Sequence, residues 1–138
     1  LLRAAADRVK AGGSVVYSVC TLNADENEAV VDAPCSGLGV LAARPDLRWR
    51  ARPLPELQLA LLRAAADRVK AGGSVVYSVC TLNADENEAV VDASGLEADA
   101  TLADAWPQFR HPNRPAFLLT LPHVHRTSGF FIARLRVP

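Results

Sequence analysis

From Pro55 to Lys70 the apolar positions Leu57, Leu59, Leu61, Leu62, Ala65, Ala66 and Val69 follow helical rather than alternating spacing, and Pro55 is tolerated in a first turn. Lys70 and then Gly72-Gly73 supply a cationic end and a left-handed exit, so the helix stops there. The β-branched run Ser74-Val75-Val76-Tyr77-Ser78-Val79, bounded by glycine, predicts a buried strand of a parallel sheet. Asn83, with Glu86 three residues on, has capping-box spacing and predicts a helix through Glu88, Ala89 and Val91. Helix, strand, helix is the crossover rhythm of an α/β sheet. Further on, Phe117–Leu121 and Phe130–Leu135 read as the two strands of a terminal antiparallel hairpin, joined through residues 122–129. Residues 94–115, rich in Ala, Asp and Pro, read as a surface connection.

Residues 1–33 recur letter for letter as residues 61–93, and the copies then diverge into Pro34-Cys35-Ser36-Gly37 and Ser94-Gly95-Leu96-Glu97. Tandem structural repeats drift at solvent-facing positions, because packing constrains only the core. Nothing has drifted here, which points to a recent duplication or an error of assembly in the reading frame. Residues 1–33 are expected to form a duplicated helix-strand-helix segment, and residues 34–138 the informative part of the chain. The junction sets a conflict. Glu88-Ala89-Val90-Val91 is free to finish a helix, whereas Val30-Val31-Asp32-Ala33 runs into a loop that would ordinarily follow a strand. Residues 24–32 are therefore the stretch with the least settled local structure, and propensity alone favours helix there.

Composition narrows the class. Half of the residues are hydrophobic and 22% are charged, which describes a globular chain and excludes a disordered one. Fifteen basic and fifteen acidic residues cancel, so the overall charge leaves no nucleic-acid footprint. Three cysteines, two of them the duplicated Cys20 and Cys80, make no disulfide framework and favour a reducing, cytoplasmic setting. No apolar run approaches a membrane span. Opening at Leu1-Leu2 inside a helical pattern, the sequence reads as the interior of something larger.

Two cysteines stand where predicted strands end, Cys80 after Val79 and Cys35 in Asp32-Ala33-Pro34-Cys35-Ser36-Gly37-Leu38-Gly39. In open α/β sheets ligands bind at the carboxyl ends of strands, so a thiol there is either a nucleophile or a small packed hydrophobe. A helix starting at Asn83 would set a positive dipole end near Cys80 and lower its pKa. Asp32 either hydrogen-bonds a ligand or caps a turn. The glycines of the Cys35 segment lack both GxGxxG spacing and a P-loop lysine. His111, His123 and His125 lack metal-ligand spacing, so no metal is expected. Trp106 and Phe109 read as anchors of the connection.

The segments Asp32–Val40, Arg44–Trp49, Gly72–Leu82 with Glu86-Asn87-Glu88, and Gly129–Leu135 resemble, in order, the later motifs of the RsmB/Sun (Nop/Sun) RNA cytosine-5 methyltransferases. The resemblance implies a partial Rossmann-like class I methyltransferase sheet, with residues 34–138 as the C-terminal part of a catalytic domain. It also implies S-adenosyl-L-methionine as cofactor and ribosomal RNA as substrate. By that pattern Cys80 matches the nucleophile that adds to carbon 6 of cytosine, Cys35 the cysteine that releases the product, and Asp32 the acid that hydrogen-bonds the base near nitrogen 3. The family's glycine-rich cofactor loop would lie upstream of Asp32, where this chain has the copied block, so no cofactor-binding residue is carried over. Ser128 stands where the family shows an acid before Gly129-Phe130-Phe131.

Arg44, Arg48, Arg50 and Arg52, with Trp49 among them, are either a phosphate-gripping cluster or a solvated charged loop. Three functions compete: a methyltransferase half lacking its cofactor loop, a non-catalytic α/β fragment, and a Cys-His hydrolase pairing Cys80 with His123 or His125.

Overall fold

The structure, a computed structural model, describes residues 27–138. The expected first helix and strand of the 1–33 copy, Cys20, and residues 24–26 of the contested stretch lie outside the described residues. Five strands form one mixed sheet. β1 (Glu28–Asp32) runs parallel to β2 (Ser74–Val79), and β2 pairs antiparallel with β5 (Phe130–Arg136). The far edge of β5 is shared end to end by β4 (Leu118–Thr120), opposite Phe130–Ile132, and β3 (Glu97–Ala98), opposite Leu135–Arg136. The Ser74–Val79 strand and the terminal hairpin are thus as expected.

Period-2 alternation decides which way each strand faces. Val75, Tyr77 and Val79 of β2, with Phe131, Ala133 and Leu135 of β5, turn toward a common core, and Ala29 and Ala33 join from the β1 side. Helix α2 (Pro55–Ala66) covers that face, burying Gln58, Leu62 and Ala66 at four-residue spacing against β1, β2 and the helix α3 (Glu88–Ser94). Phe131 meets Tyr77 and Phe117 edge to face, with ring centres 6.4 and 5.5 Å apart. Leu62, Leu135, Phe117 and Phe131 are wholly or almost wholly shielded from solvent, and each contributes about 1.5–3 kcal/mol by its burial.

Three expectations are corrected. Helix α2 ends at Ala66 and not at Lys70, because Asp67–Lys70 tightens into turns, with the amides of Arg68 and Val69 donating to the carbonyls of Ala65 and Ala66. Residues 94–115 are more than a connection. They hold β3, the short helix α4 (Thr101–Ala105) and a 3₁₀ turn (Pro107–Phe109), and they are tied to the sheet by the Asp99 amide donating to the Arg134 carbonyl. The third correction concerns the copy: Glu28–Asp32 is a strand, whereas the identical Glu88-Ala89-Val90-Val91-Asp92 is helical.

That last contrast has a local and a tertiary cause. Pro34 disfavours the helical conformation at Ala33, while in the second copy Gly95, at φ 77°, closes a helix whose Ser94 hydroxyl donates to the Val91 carbonyl. The tertiary cause is the open edge of β2, which offers the first copy a complete parallel ladder from Ser74 to Ser78. Asn27 enters the strand with φ 46°, and the equivalent Asn87 enters the helix with φ −103°.

Past β1 the chain crosses over the end of β2. Gly39 donates to the Cys80 carbonyl and accepts from the Gly129 amide, so closely that a Cβ on Gly39 would stand 2.0 Å from the Gly129 oxygen. Gly39→Ala is therefore expected to destabilise the chain by about 1–3 kcal/mol, read as a lowered urea midpoint. Gly72→Ala, at φ 80° with open space around it, is expected to lose only about 1 kcal/mol.

Candidate active site

β1 and β2 are parallel neighbours, so the segments that follow them leave the sheet at one edge. The Ala33 amide extends the ladder by donating to the Ser78 carbonyl, and Pro34 then ends it. At the next residue, the Cys35 sulfur lies 3.4 Å from that of Cys80. Both thiols are free and half-buried.

A layer of buried polar groups lies behind the sulfurs. The Ser36 hydroxyl is 2.8 Å from the Thr81 hydroxyl and also donates to Glu86 Oε2. Glu86 Oε1 accepts from the Ser36 amide (3.0 Å), the Leu54 amide (3.2 Å) and Gln58 Nε2 (2.9 Å). The second hydrogen of Gln58 Nε2 reaches the Pro34 carbonyl at 2.9 Å. From the far side, Tyr77 donates to the Glu86 carbonyl and Asn87 Nδ2 to the Thr81 carbonyl. Sequence reasoning missed Ser36, Thr81 and Gln58, and gave Glu86 a different task. One signal was available: Gln58 interrupts an otherwise apolar helical stripe one turn before Leu62.

The capping-box expectation is corrected by this arrangement. Residues 84–87 form turns, helix α3 begins at Glu88, and the Glu86 side chain points into the core rather than back to Asn83. No helix end therefore activates Cys80. Its pKa is lowered to about 7 chiefly by the hydrogen bond from Cys35, against burial and the charges of Asp32 and Glu86, which raise it. Cys35 is pushed strongly upward by the same hydrogen bond, by burial and by the neighbouring sulfur's charge. One proton held between two sulfurs accounts for shifts of opposite sign, and their direction favours ionisation at Cys80 over Cys35.

The other sequence candidates are placed as follows. Asp32 is exposed at the end of β1, near enough for its charge to act on Cys80. Arg44 grips Asp46 through two nitrogens, at 3.0 and 3.1 Å, and Arg50 reaches the same carboxylate at 3.8 Å. Arg48 lies over the ring of Trp49, which is 80% exposed on the one-turn helix α1 (Leu47–Arg50), and Arg52 donates to the Ala51 carbonyl. Trp106, 51% exposed, stacks on Phe109, which in turn meets His125 edge to face, so Phe109 is the better shielded of the two expected anchors. Both ring nitrogens of His125 are engaged, Nδ1 by the Leu121 amide and Nε2 by the Gln108 carbonyl, leaving none for a thiol. His111 is buried, accepting two backbone amides at Nδ1 and donating from Nε2 to Glu88 at 2.6 Å. Among the described residues no three acidic, histidine or cysteine side chains gather in a metal-binding group, and no helix is long and apolar enough to cross a membrane.

The glycine-bearing turn after β1, Gly37–Gly39, is packed against Leu47, Gly129 and Cys80, so that turn does not fit the nucleotide of S-adenosylmethionine.

Comparison with known proteins agrees with the motif order. The family model described as 16S rRNA methyltransferase RsmB/F matches residues 1–33 and 29–136. The chain is 44% identical over 120 residues to a probable ribosomal RNA small subunit methyltransferase B of Synechocystis, covering 80% of this chain and 27% of that protein. It is 38% identical over 157 aligned positions to the probable methyltransferase B of Bacillus subtilis, covering 99% and 34%. The chain thus spans about a quarter to a third of the length of these relatives. Among solved structures it resembles NSun6 from Pyrococcus horikoshii, determined with SFG, an S-adenosylmethionine analogue, with a TM-score of 0.61 and 35% identity over 80% of this chain and 30% of that one. A methyltransferase homologue from the same organism aligns with a TM-score of 0.57 and 29% identity, over 81% and 39%.

The shared proton makes a prediction. Alkylation of Cys80 by iodoacetamide should be half-maximal near pH 7, rising with pH, while Cys35 stays unreactive through the same range. Cys35→Ala removes the donor and should move the Cys80 midpoint upward toward that of an ordinary thiol, followed by peptide-resolved mass spectrometry.

Proposed function

The chain belongs to the RsmB/F family of 16S rRNA methyltransferases, and from that premise we propose that it carries the thiol half of an RNA cytosine-5 methylation centre, with Cys80 as nucleophile, Cys35 as the releasing group and Asp32 as the contact to the base. The observation that carries this reading is the 3.4 Å approach of two unequal thiols at the carboxyl end of a parallel strand pair.

The residue types suit the chemistry. Carbon 5 of cytosine is a poor nucleophile until a soft thiolate adds at carbon 6, and a sulfur ionised near neutral pH is suited to that addition. Asp32, beside the same edge, in its protonated form donates a hydrogen bond to nitrogen 3 as electron density moves into the ring. Once Cys80 is a thioether, its charge and its acceptor role are gone. Two of the three influences that keep Cys35 protonated vanish with them. Cys35 then ionises more readily, takes the proton from carbon 5, and the ring expels the Cys80 thiolate. Methyl transfer falls between these steps and needs a donor site outside the described residues.

The substrate in this reading is ribosomal RNA, by the names of the relatives, and the proposed setting is the reducing cytoplasm, by the free thiols. Arg48 and Arg52, which meet no carboxylate among the described residues, with the exposed Trp49, are the proposed phosphate and stacking contacts, and Arg44 and Arg50 stand behind them on Asp46. The inert α/β fragment is the second reading, favoured by the filled glycine turn.

RNA containing 5-azacytosine accepts a thiolate at carbon 6 with no methyl donor present, and so separates the two readings. An adduct on Cys80 is expected in the parent and in Cys20→Ser, and none in Cys80→Ala. Mass spectrometry that finds no adduct on Cys80 would sink the methyltransferase reading. Calorimetry with S-adenosylmethionine is expected to show no binding to this chain.

A further inference from the structure

Glu86 is fully buried, yet it touches neither sulfur. A carboxyl group withdrawn from water is costly unless its lone pairs meet donors. Here four donors from two segments converge on it: the Ser36 amide and hydroxyl from the loop after β1, and the Leu54 amide and Gln58 Nε2 from the start of α2. Their positions are informative. Cys35 is bracketed, with the carbonyl before it held by Gln58 and the amide after it held by Glu86. On the opposite segment Thr81, the residue after Cys80, meets the Ser36 hydroxyl that Glu86 orients. With Ser36 donating to Glu86, the Thr81 hydroxyl must donate to Ser36, so the hydrogen bonds run in one direction from the Cys80 segment to the carboxyl group. The Ser36–Thr81 pair lies alongside the Cys35–Cys80 pair and sets its register.

We infer that Glu86 is the positioning residue of the thiol pair, holding the Cys35 loop against the Cys80 segment through Ser36 and Gln58 so that the two sulfurs share one proton. The inference rests on the reading of the thiols in the preceding subsection, but it concerns a residue in contact with neither. An acceptor at the Oε1 position is required because the three N–H groups facing it are donors. Glutamine keeps one acceptor for the three N–H groups, and its amide can face Ser36 if the Ser36–Thr81 hydrogen bond reverses. Alanine leaves all of them unpaired.

The test uses the full chain in a Cys20→Ser background and needs no RNA. Diamide closes Cys35 and Cys80 to a disulfide, the two thiols being oxidised as one diamide is reduced to its hydrazine. Closure is compared at pH values giving equal Cys80 thiolate, alongside the pH midpoint of Cys80 alkylation. Glu86→Ala is expected to slow closure at least about tenfold while keeping its near-ultraviolet dichroism. Glu86→Gln is expected to close within about twofold of the parent, with the Cys80 midpoint moved to lower pH, since the charge that held it up is gone. A folded Glu86→Ala chain closing at the parent rate overturns the inference. Should that variant not fold, Glu86→Gln decides, and an unmoved Cys80 midpoint overturns it. Failure of RNA to form an adduct would remove the methyltransferase reading and leave these thiol measurements standing.

Discussion

β1 and β2 run parallel in a register that sets Asp32 beside Ser78, so both segments leave the sheet at one edge and at one level. Every chemical feature of the chain follows from that alignment. Cys35 and Cys80 are each a short step beyond the last paired residues, and the closeness of their sulfurs is a consequence of strand direction before it is one of side-chain packing. An antiparallel pair would have sent the two segments to opposite ends of the sheet.

Strand direction brings the sulfurs near, and the polar layer behind them ties the two segments together. Ser36, Thr81, Glu86 and Gln58 form a chain of oriented hydrogen bonds in which donors and acceptors alternate, so the loop after β1 has little freedom to drift. Within that frame a single proton lies between two thiols, and charge concentrates on the one that accepts it. The hydrogen bond with Cys35 is the largest influence lowering the Cys80 pKa, and it acts against burial and the charges of Asp32 and Glu86. The function proposed for the pair rests on its geometry and on family membership together.

The duplicated block shows how little of a local structure belongs to its letters. Glu28 on the strand binds Ser74 and Arg134, while its copy Glu88, on the helix, accepts from the buried His111. Val91 of the helix is buried in the core formed with Leu62, and its copy Val31 sits beside Tyr77 in the sheet. Identical side chains thus use different partners in each setting. Propensity, which favours helix for both, is overridden in the first by a following proline and by an unpaired strand edge.

The sequence by itself determined the elements whose patterns are long or sharply bounded. The strand Ser74–Val79 between glycine and cysteine, the helix opening at Pro55, and the terminal hairpin ending at Phe130–Leu135 were all legible, as was the placing of Cys35 and Cys80 at strand ends. Motif order identified the family for the same reason, since it is a property of the chain read in one dimension. Tertiary structure decided the rest. Which copy of Glu-Ala-Val-Val-Asp becomes a strand depends on a partner some forty residues away in sequence, and window-based propensity does not register it. The same holds for Glu86. Its spacing from Asn83 matches a helix cap, but burial against Ser36, Leu54 and Gln58 makes it an acceptor for four donors on three distant residues, and a buried carboxyl group must satisfy the donors it meets rather than those its spacing suggests.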